Sequence, residues 1–115
     1  SRATAADLCA ALVRLGPDGA LRRGLREITL REEDGRPSDL QLYAKTGTLN
    51  FVSALAGHIR RPGAPPLVFA ILSADMARRD AIPPGGEERP PGSAAWTGRS
   101  RNLQFDLVRL WAALA

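Results

Sequence analysis

Residues 44–57 read Ala-Lys-Thr-Gly-Thr-Leu-Asn-Phe-Val-Ser-Ala-Leu-Ala-Gly, and they are the part of this 115-residue chain from which its architecture is best inferred. They join two extended segments, 40–48 and 50–60, and a third segment, 66–74, follows a turn rich in proline and glycine. Because short links join neighbours, the pattern predicts three strands in an antiparallel meander. The third segment is apolar on both faces, which favours a central position in the sheet.

A first helix is predicted over residues 5–15. Thr4 is its N-cap, Asp7 completes a capping box, and Gly16 with Pro17 ends the helix. Apolar residues recur at helical spacing along one face of this segment, namely Ala5, Leu8, Cys9, Leu12 and Val13.

Two further helices are expected. A short one over 18–28 turns Leu21, Leu25 and Ile28 inward, and a polar loop over 31–39 follows it. The last helix begins near Ser93, and its apolar stripe contains Trp96, Leu103, Leu107, Leu110, Trp111 and Leu114. The predicted class is therefore α+β, with a three-stranded antiparallel sheet packed by N- and C-terminal helices.

The composition argues against several classes of function. The net charge is +4, but Lys45 is the only lysine, the arginines are interleaved with acids, and aromatic residues make up 5%. A nucleic-acid site with stacking aromatics is therefore not expected. No apolar run approaches the ~20 residues of a membrane span. Cys9 is the single cysteine, and no spacing predicts a metal site.

The triplet Lys45-Thr46-Gly47 is the motif that carries chemistry. Alone it would be weak, but it lies on a predicted strand and precedes a strand of small residues, an apolar strand and an amphipathic helix. Penicillin-recognising serine enzymes have this order of elements after their Lys-Thr-Gly box. The chain resembles the class C low-molecular-mass penicillin-binding proteins, which form the D-alanyl-D-alanine carboxypeptidase/endopeptidase family.

Three stretches carry the resemblance. Residues 44–49 match the family's Ala-Lys-Thr-Gly-Ser/Thr-Leu box, 52–57 match Val-x-x-Leu-Ala-Gly, and 68–71 match Val-Phe-Ala-Ile. The resemblance implies that residues 1–115 are the C-terminal part of one penicillin-binding domain with the β-lactamase-like fold. It also implies a periplasmic enzyme that needs no cofactor, acts on peptidoglycan stem peptides ending in D-Ala-D-Ala, and is acylated by β-lactams.

The resemblance assigns a role to each residue of the box. Lys45 supplies a cation and Thr46 a hydroxyl donor to the terminal carboxylate of the substrate. Gly47 leaves room for the peptide to lie against the strand. Thr48 offers its backbone N–H as one of two oxyanion donors. Lys45 and Thr48 are thus the expected catalytic residues, and all four residues are expected to bind substrate.

Two other boxes of the family, Ser-x-x-Lys and Ser-x-Asn, do not occur in residues 1–115. We therefore expect an N-terminal part of the same protein to carry the nucleophile, and this chain alone to be inactive. Since the family's last strand pairs with a strand from that part, the edge between Leu67 and Ala74 is expected to be open and to favour self-association.

Two alternatives remain at this point. A serine β-lactamase or related hydrolase shares the Lys-Thr-Gly box, although the strands over 52–57 and 68–71 favour the carboxypeptidase. A non-catalytic module that holds peptidoglycan stem peptides is the alternative from a different class.

Overall fold

The computed structural model describes residues 3–19, 23–85 and 90–115. Its elements in chain order are α1 (Ala5–Leu15), β1 (Arg26–Arg31), β2 (Pro37–Leu49), β3 (Val52–Arg61), β4 (Ala64–Ala74), α2 (Met76–Asp80) and α3 (Ser93–Leu114). The strands form one antiparallel sheet of four strands in the order β1-β2-β3-β4. The α+β class and the antiparallel meander are confirmed, but the sheet has four strands where three were predicted.

The additional strand is β1, and the second helix predicted over 18–28 is wrong, because none of the described residues in that range is α-helical and the strand begins at Arg26. Ile28 pairs with Leu42 across the β1–β2 ladder, and Leu30 is buried while its neighbours in sequence are exposed. This alternation is that of a strand with one covered face. The predicted inward position of Leu21 lies outside the described residues.

A tight turn closes the β1–β2 hairpin, so the polar loop predicted over 31–39 is shorter than expected. The backbone N–H of Glu32 donates to the Arg36 carbonyl at 2.8 Å, and that of Gly35 donates to the Glu32 carbonyl at 2.9 Å. Gly35 has φ of 84°, which glycine adopts without a steric cost. The strand β2 then begins at Pro37.

The strand β4 lies at one end of the sheet order, so its predicted central position is wrong for the described part of the chain. Helices cover both apolar faces of β4, and this does not require a strand at each of its edges. Phe69 and Ile71 belong to the core beneath α3, while α1 packs against β4 and β3 from the other face of the sheet. The outer edge of β4 has no strand beside it among the residues described.

The core lies between the sheet and α3. It consists of Leu30, Leu42, Ala44, Leu55, Ile59, Phe69, Ile71 and Val108. In α3 the covered stripe runs through Ser100, Gln104 and Val108, so the stripe predicted from the leucines is wrong in part. Leu103, Leu110 and Leu114 are 54%, 50% and 75% exposed, although Trp111 packs against the core as expected.

The helix α1 begins and ends as predicted. The Thr4 hydroxyl accepts a hydrogen bond from the Asp7 N–H at 3.1 Å, and the Asp7 carboxylate accepts one from the Thr4 N–H at 3.0 Å. This reciprocal pair is a capping box. Leu12 is buried, but Val13 is 65% exposed and does not belong to the inward face that the sequence predicted.

Candidate functional site

Part of one edge of β2 is left open by the short strand β1. The ladder between them runs from the pair Arg31–Pro37 to the pair Arg26–Ala44 and ends there. On its other side β2 is paired with β3 along residues 41–49. Within the described ranges, residues 45–49 therefore have a strand on one side only. Such an edge presents backbone N–H and C=O groups to which an extended peptide can add.

The four residues singled out from the sequence all lie on this stretch. Lys45, Gly47 and Thr48 are exposed, and Thr46 is half-buried. Side chains alternate between the faces of a strand, so Lys45 projects on the face opposite to Thr46 and Thr48, and all flank the same edge. The prediction that the triplet lies on a strand is confirmed.

The ammonium group of Lys45 is available to a ligand. Its Nζ donates to the carbonyl oxygen of Thr46 at 2.9 Å, along its own strand. The structure shows no carboxylate within 4.0 Å of Nζ among the residues it describes. An ammonium group carries three N–H donors, so this one bond to a backbone carbonyl leaves donors for an anion.

Gly47 is a glycine that the fold does not require. A Cβ atom placed on it would meet only the Cβ of Ala54, at an ordinary contact distance of 3.8 Å, and its φ is not positive. Glycine weakens the interior of a strand, and one reason to find it there is the close approach of a ligand or another backbone. The space above Gly47 fits that reason.

The β2–β3 link holds the end of this stretch in place. Phe51 has φ of 59°, an unusual value for an aromatic residue, yet its side chain is buried. Its ring packs edge-on against Trp96 with centroids 6.2 Å apart, and the guanidinium of Arg78 lies 5.6 Å from its centroid. The Phe51 carbonyl also accepts a hydrogen bond from the Asp75 N–H at 2.9 Å. These contacts fix the residues that follow Thr48.

A cavity of about 740 Å³ lies beside Thr48, between the end of β2 and the first turns of α3. Its lining is Thr48, Leu49, Asn50, Arg79, Ser93, Ala94, Thr97, Gly98 and Arg101. Sequence reasoning missed both arginines. Nothing in the sequence separates them from the other arginines of the chain, because their placement depends on how α2 and α3 pack against the hairpin.

Two other polar side chains of the sheet are buried in the interior of the fold. His58 is buried on β3, as expected for a structural histidine, and Gln104 donates to the Ser53 hydroxyl at 3.1 Å inside the core. The described residues contain no cluster of histidine, cysteine and acidic side chains that could hold a metal ion. They also include no helix long and apolar enough to cross a membrane.

Comparisons of the chain with protein-family models, with curated proteins and with solved structures found no match.

Proposed function

We propose that this chain is the C-terminal part of a serine-type D-alanyl-D-alanine carboxypeptidase and supplies the strand that binds the substrate. The observation that carries the proposal is that residues 45–49 of β2 pair with a strand on one side only in the part of the chain that the structure describes. A peptide ending in D-Ala-D-Ala adds to this edge as an extra strand, and its terminal carboxylate meets the ammonium of Lys45 and the hydroxyl of Thr46.

The chemistry of this proposal divides between the chain and a serine from outside residues 1–115. The serine hydroxyl attacks the carbonyl carbon between the two D-alanines, and the Thr48 N–H stabilises the negative oxygen that develops there. The C–N bond then breaks, the leaving amine takes up a proton, and free D-alanine departs. Water hydrolyses the resulting ester. Lys45 lowers the cost of the negative charge throughout.

The geometry around Gly47 also supports this reading. In the proposed complex the peptide lies beside Gly47, and a side chain at this position would crowd its close approach to the strand. Since neither backbone conformation nor packing demands glycine at this position, the ligand provides the physical reason for it.

The surface of the chain fits the proposal that it pairs with an N-terminal part of the same protein. Leu103, Leu110 and Leu114 form an exposed apolar row on α3, and β4 has an open outer edge among the described residues. A further strand beside β4 and a helix over that row would cover both. As in the resemblance drawn from the sequence, the whole enzyme would be periplasmic and acylated by β-lactams.

The binding step is testable with the chain itself. An ¹⁵N-labelled sample is titrated with an N-acylated peptide ending in D-Ala-D-Ala and with its L-Ala-L-Ala diastereomer. The D,D peptide is expected to shift the amide signals of residues 45–49 saturably and more strongly than the L,L peptide, and Lys45→Met is expected to weaken this response. Equal responses to the two diastereomers would contradict the proposal.

The catalytic step requires the protein as its source cells make it. Mass spectrometry after treatment with labelled penicillin is expected to find the label on a serine of a polypeptide that contains or accompanies residues 1–115. Release of D-alanine from the peptide, without turnover of a cephalosporin, distinguishes a carboxypeptidase from a β-lactamase. Peptide binding without any acylation would identify a non-catalytic peptidoglycan module instead.

A further inference from the structure

The cavity beside Thr48 is lined by basic and neutral polar residues together with Leu49, Ala94 and Gly98. Arg79 and Arg101 contribute its charged side chains, and none of the acidic residues that the structure describes belongs to its lining. Neither arginine has a carboxylate within 4.0 Å among the residues described. Two cations in one concave site repel each other, and a bound anion relieves this repulsion.

Both guanidinium groups are held against the end of β2. Arg79 Nη1 donates to the Asn50 carbonyl at 3.0 Å, and Arg101 Nη2 lies 3.4 Å from the Thr48 hydroxyl oxygen. Each guanidinium has further N–H donors in a planar arrangement that suits carboxylate and phosphate oxygens. With these two contacts, both guanidinium groups are held in the lining of the same cavity.

Hydroxyl groups and the start of α3 complete the site. Ser93 is buried, and its hydroxyl donates to the Asn50 side-chain oxygen at 2.9 Å, which ties α3 to the hairpin. Thr97 adds a second hydroxyl one turn further along the helix. The N-cap of this 22-residue helix is Gly92, which supplies no side-chain hydrogen bond. The positive end of the helix dipole therefore adds to the charge of the arginines.

From this arrangement we infer a second anion site, in which Arg79 and Arg101 bind a phosphate or carboxylate group of a small ligand. The site differs from the proposed peptide edge in the cations that it uses, because Lys45 projects on the opposite face of the sheet and does not line this cavity. It lies on the α3 face and touches the same strand through Thr48. An anion bound here would therefore sit next to the residue that donates to the oxyanion.

The test is a titration of the ¹⁵N-labelled chain with inorganic phosphate and, separately, with acetate, at constant ionic strength. Saturable shifts are expected at the amides of Thr48, Ser93 and Thr97 with at least one of the two anions. The anion that binds more tightly identifies the source of the ligand group as phosphate or carboxylate. The absence of saturable shifts with both anions would overturn the inference.

Variants separate a built site from general attraction to a basic protein. Arg101→Gln is expected to weaken anion binding tenfold or more, whereas Arg99→Gln, which removes the same charge from the same helix outside the cavity, leaves it unchanged. Equal losses in both would overturn the inference. Lys45→Met is expected to keep anion binding while weakening D-Ala-D-Ala binding, so the failure of either proposal is recognisable separately.

Discussion

Gly57 of β3 lies so close to Ala44 of β2 that a Cβ on the glycine would be 2.7 Å from the Ala44 Cα, and closer still to the Tyr43 carbonyl. These are backbone atoms, which cannot move aside as the end of a side chain can. The two central strands are therefore packed through a glycine at the point where the open edge begins.

Replacing Gly57 with alanine is expected to destabilise the fold. The added methyl group must push β2 and β3 apart, and overpacking of this kind costs roughly 1–3 kcal/mol. Urea unfolding followed by circular dichroism measures the change. Unfolding at the same urea concentration as the wild type would show that the strands are less closely packed than described.

Gly47→Ala is the same substitution on the neighbouring strand β2 and is the control for Gly57→Ala. Its methyl group has room beside Ala54, and alanine is better than glycine within regular structure, so the free energy of unfolding is expected to stay equal or rise by up to about 1 kcal/mol. Binding of the D-Ala-D-Ala peptide is expected to weaken roughly tenfold, about 1.4 kcal/mol. Unchanged peptide affinity would remove the functional reason for glycine at this position.

The open edge of β4, between Leu67 and Ala74, is expected to make the isolated chain self-associate. Leu72 lies on this strand and is 48% exposed. Sedimentation velocity is expected to show concentration-dependent dimers, and Leu72→Lys is expected to shift them toward monomer, while Leu103→Lys on α3 has little effect. If Leu103→Lys reduced the dimers and Leu72→Lys did not, the association would occur through the leucine row of α3. A wild type that stays monomeric at all concentrations would contradict the prediction outright.

The capping box of α1 predicts an acid-sensitive contribution to stability. Hydrogen bonds from the backbone and side chain of Thr4 lower the pKa of Asp7 from its usual 3.8. A carboxyl group whose pKa is lower in the folded state stabilises the fold above its unfolded pKa, and this contribution is lost as the pH falls through the folded pKa. Asp7→Asn should therefore unfold more easily than the wild type at pH 6. The difference should shrink below pH 3.8, in thermal unfolding measured across that range.

Asp80→Asn, which alters a carboxylate outside this box, serves as the control. A difference that does not depend on pH would exclude the capping carboxylate as its cause.

Much of the fold was predictable because local signals agreed with the tertiary structure. Thr4 and Asp7 predicted the start of α1, and the short links between the extended segments predicted the antiparallel meander. The strand β1 was missed because Leu21, Leu25 and Ile28 also fit a helical spacing. The alternation over Arg26–Arg31 and the Asp34-Gly35 pair were the signals that a hairpin follows.

The candidate site was also predictable only in part. The Lys-Thr-Gly motif indicated residues 45–48 and their accessible strand, since a short motif and its local pattern are both visible in sequence. The leucines of α3 were misleading, because the polar residues Gln104 and Ser100 occupy the buried stripe. Folding provides the hydrogen-bond partner of Gln104, which is the Ser53 hydroxyl. The cavity of Arg79 and Arg101 depends on three separate elements, so no sequence window contains it.

The left-handed conformation of Phe51 has a consequence for the alignment of the hairpin. A shift of β2 by one residue along β3 would turn Leu42 and Ala44 to the outside and bring Lys45 into the core. Such a shift would also pull the Phe51 ring away from Trp96 and move its unusual backbone angle to another residue. The contact between Phe51 and Trp96 thus stabilises one alignment of β2 along β3, and this alignment keeps Lys45 on the accessible side of the sheet.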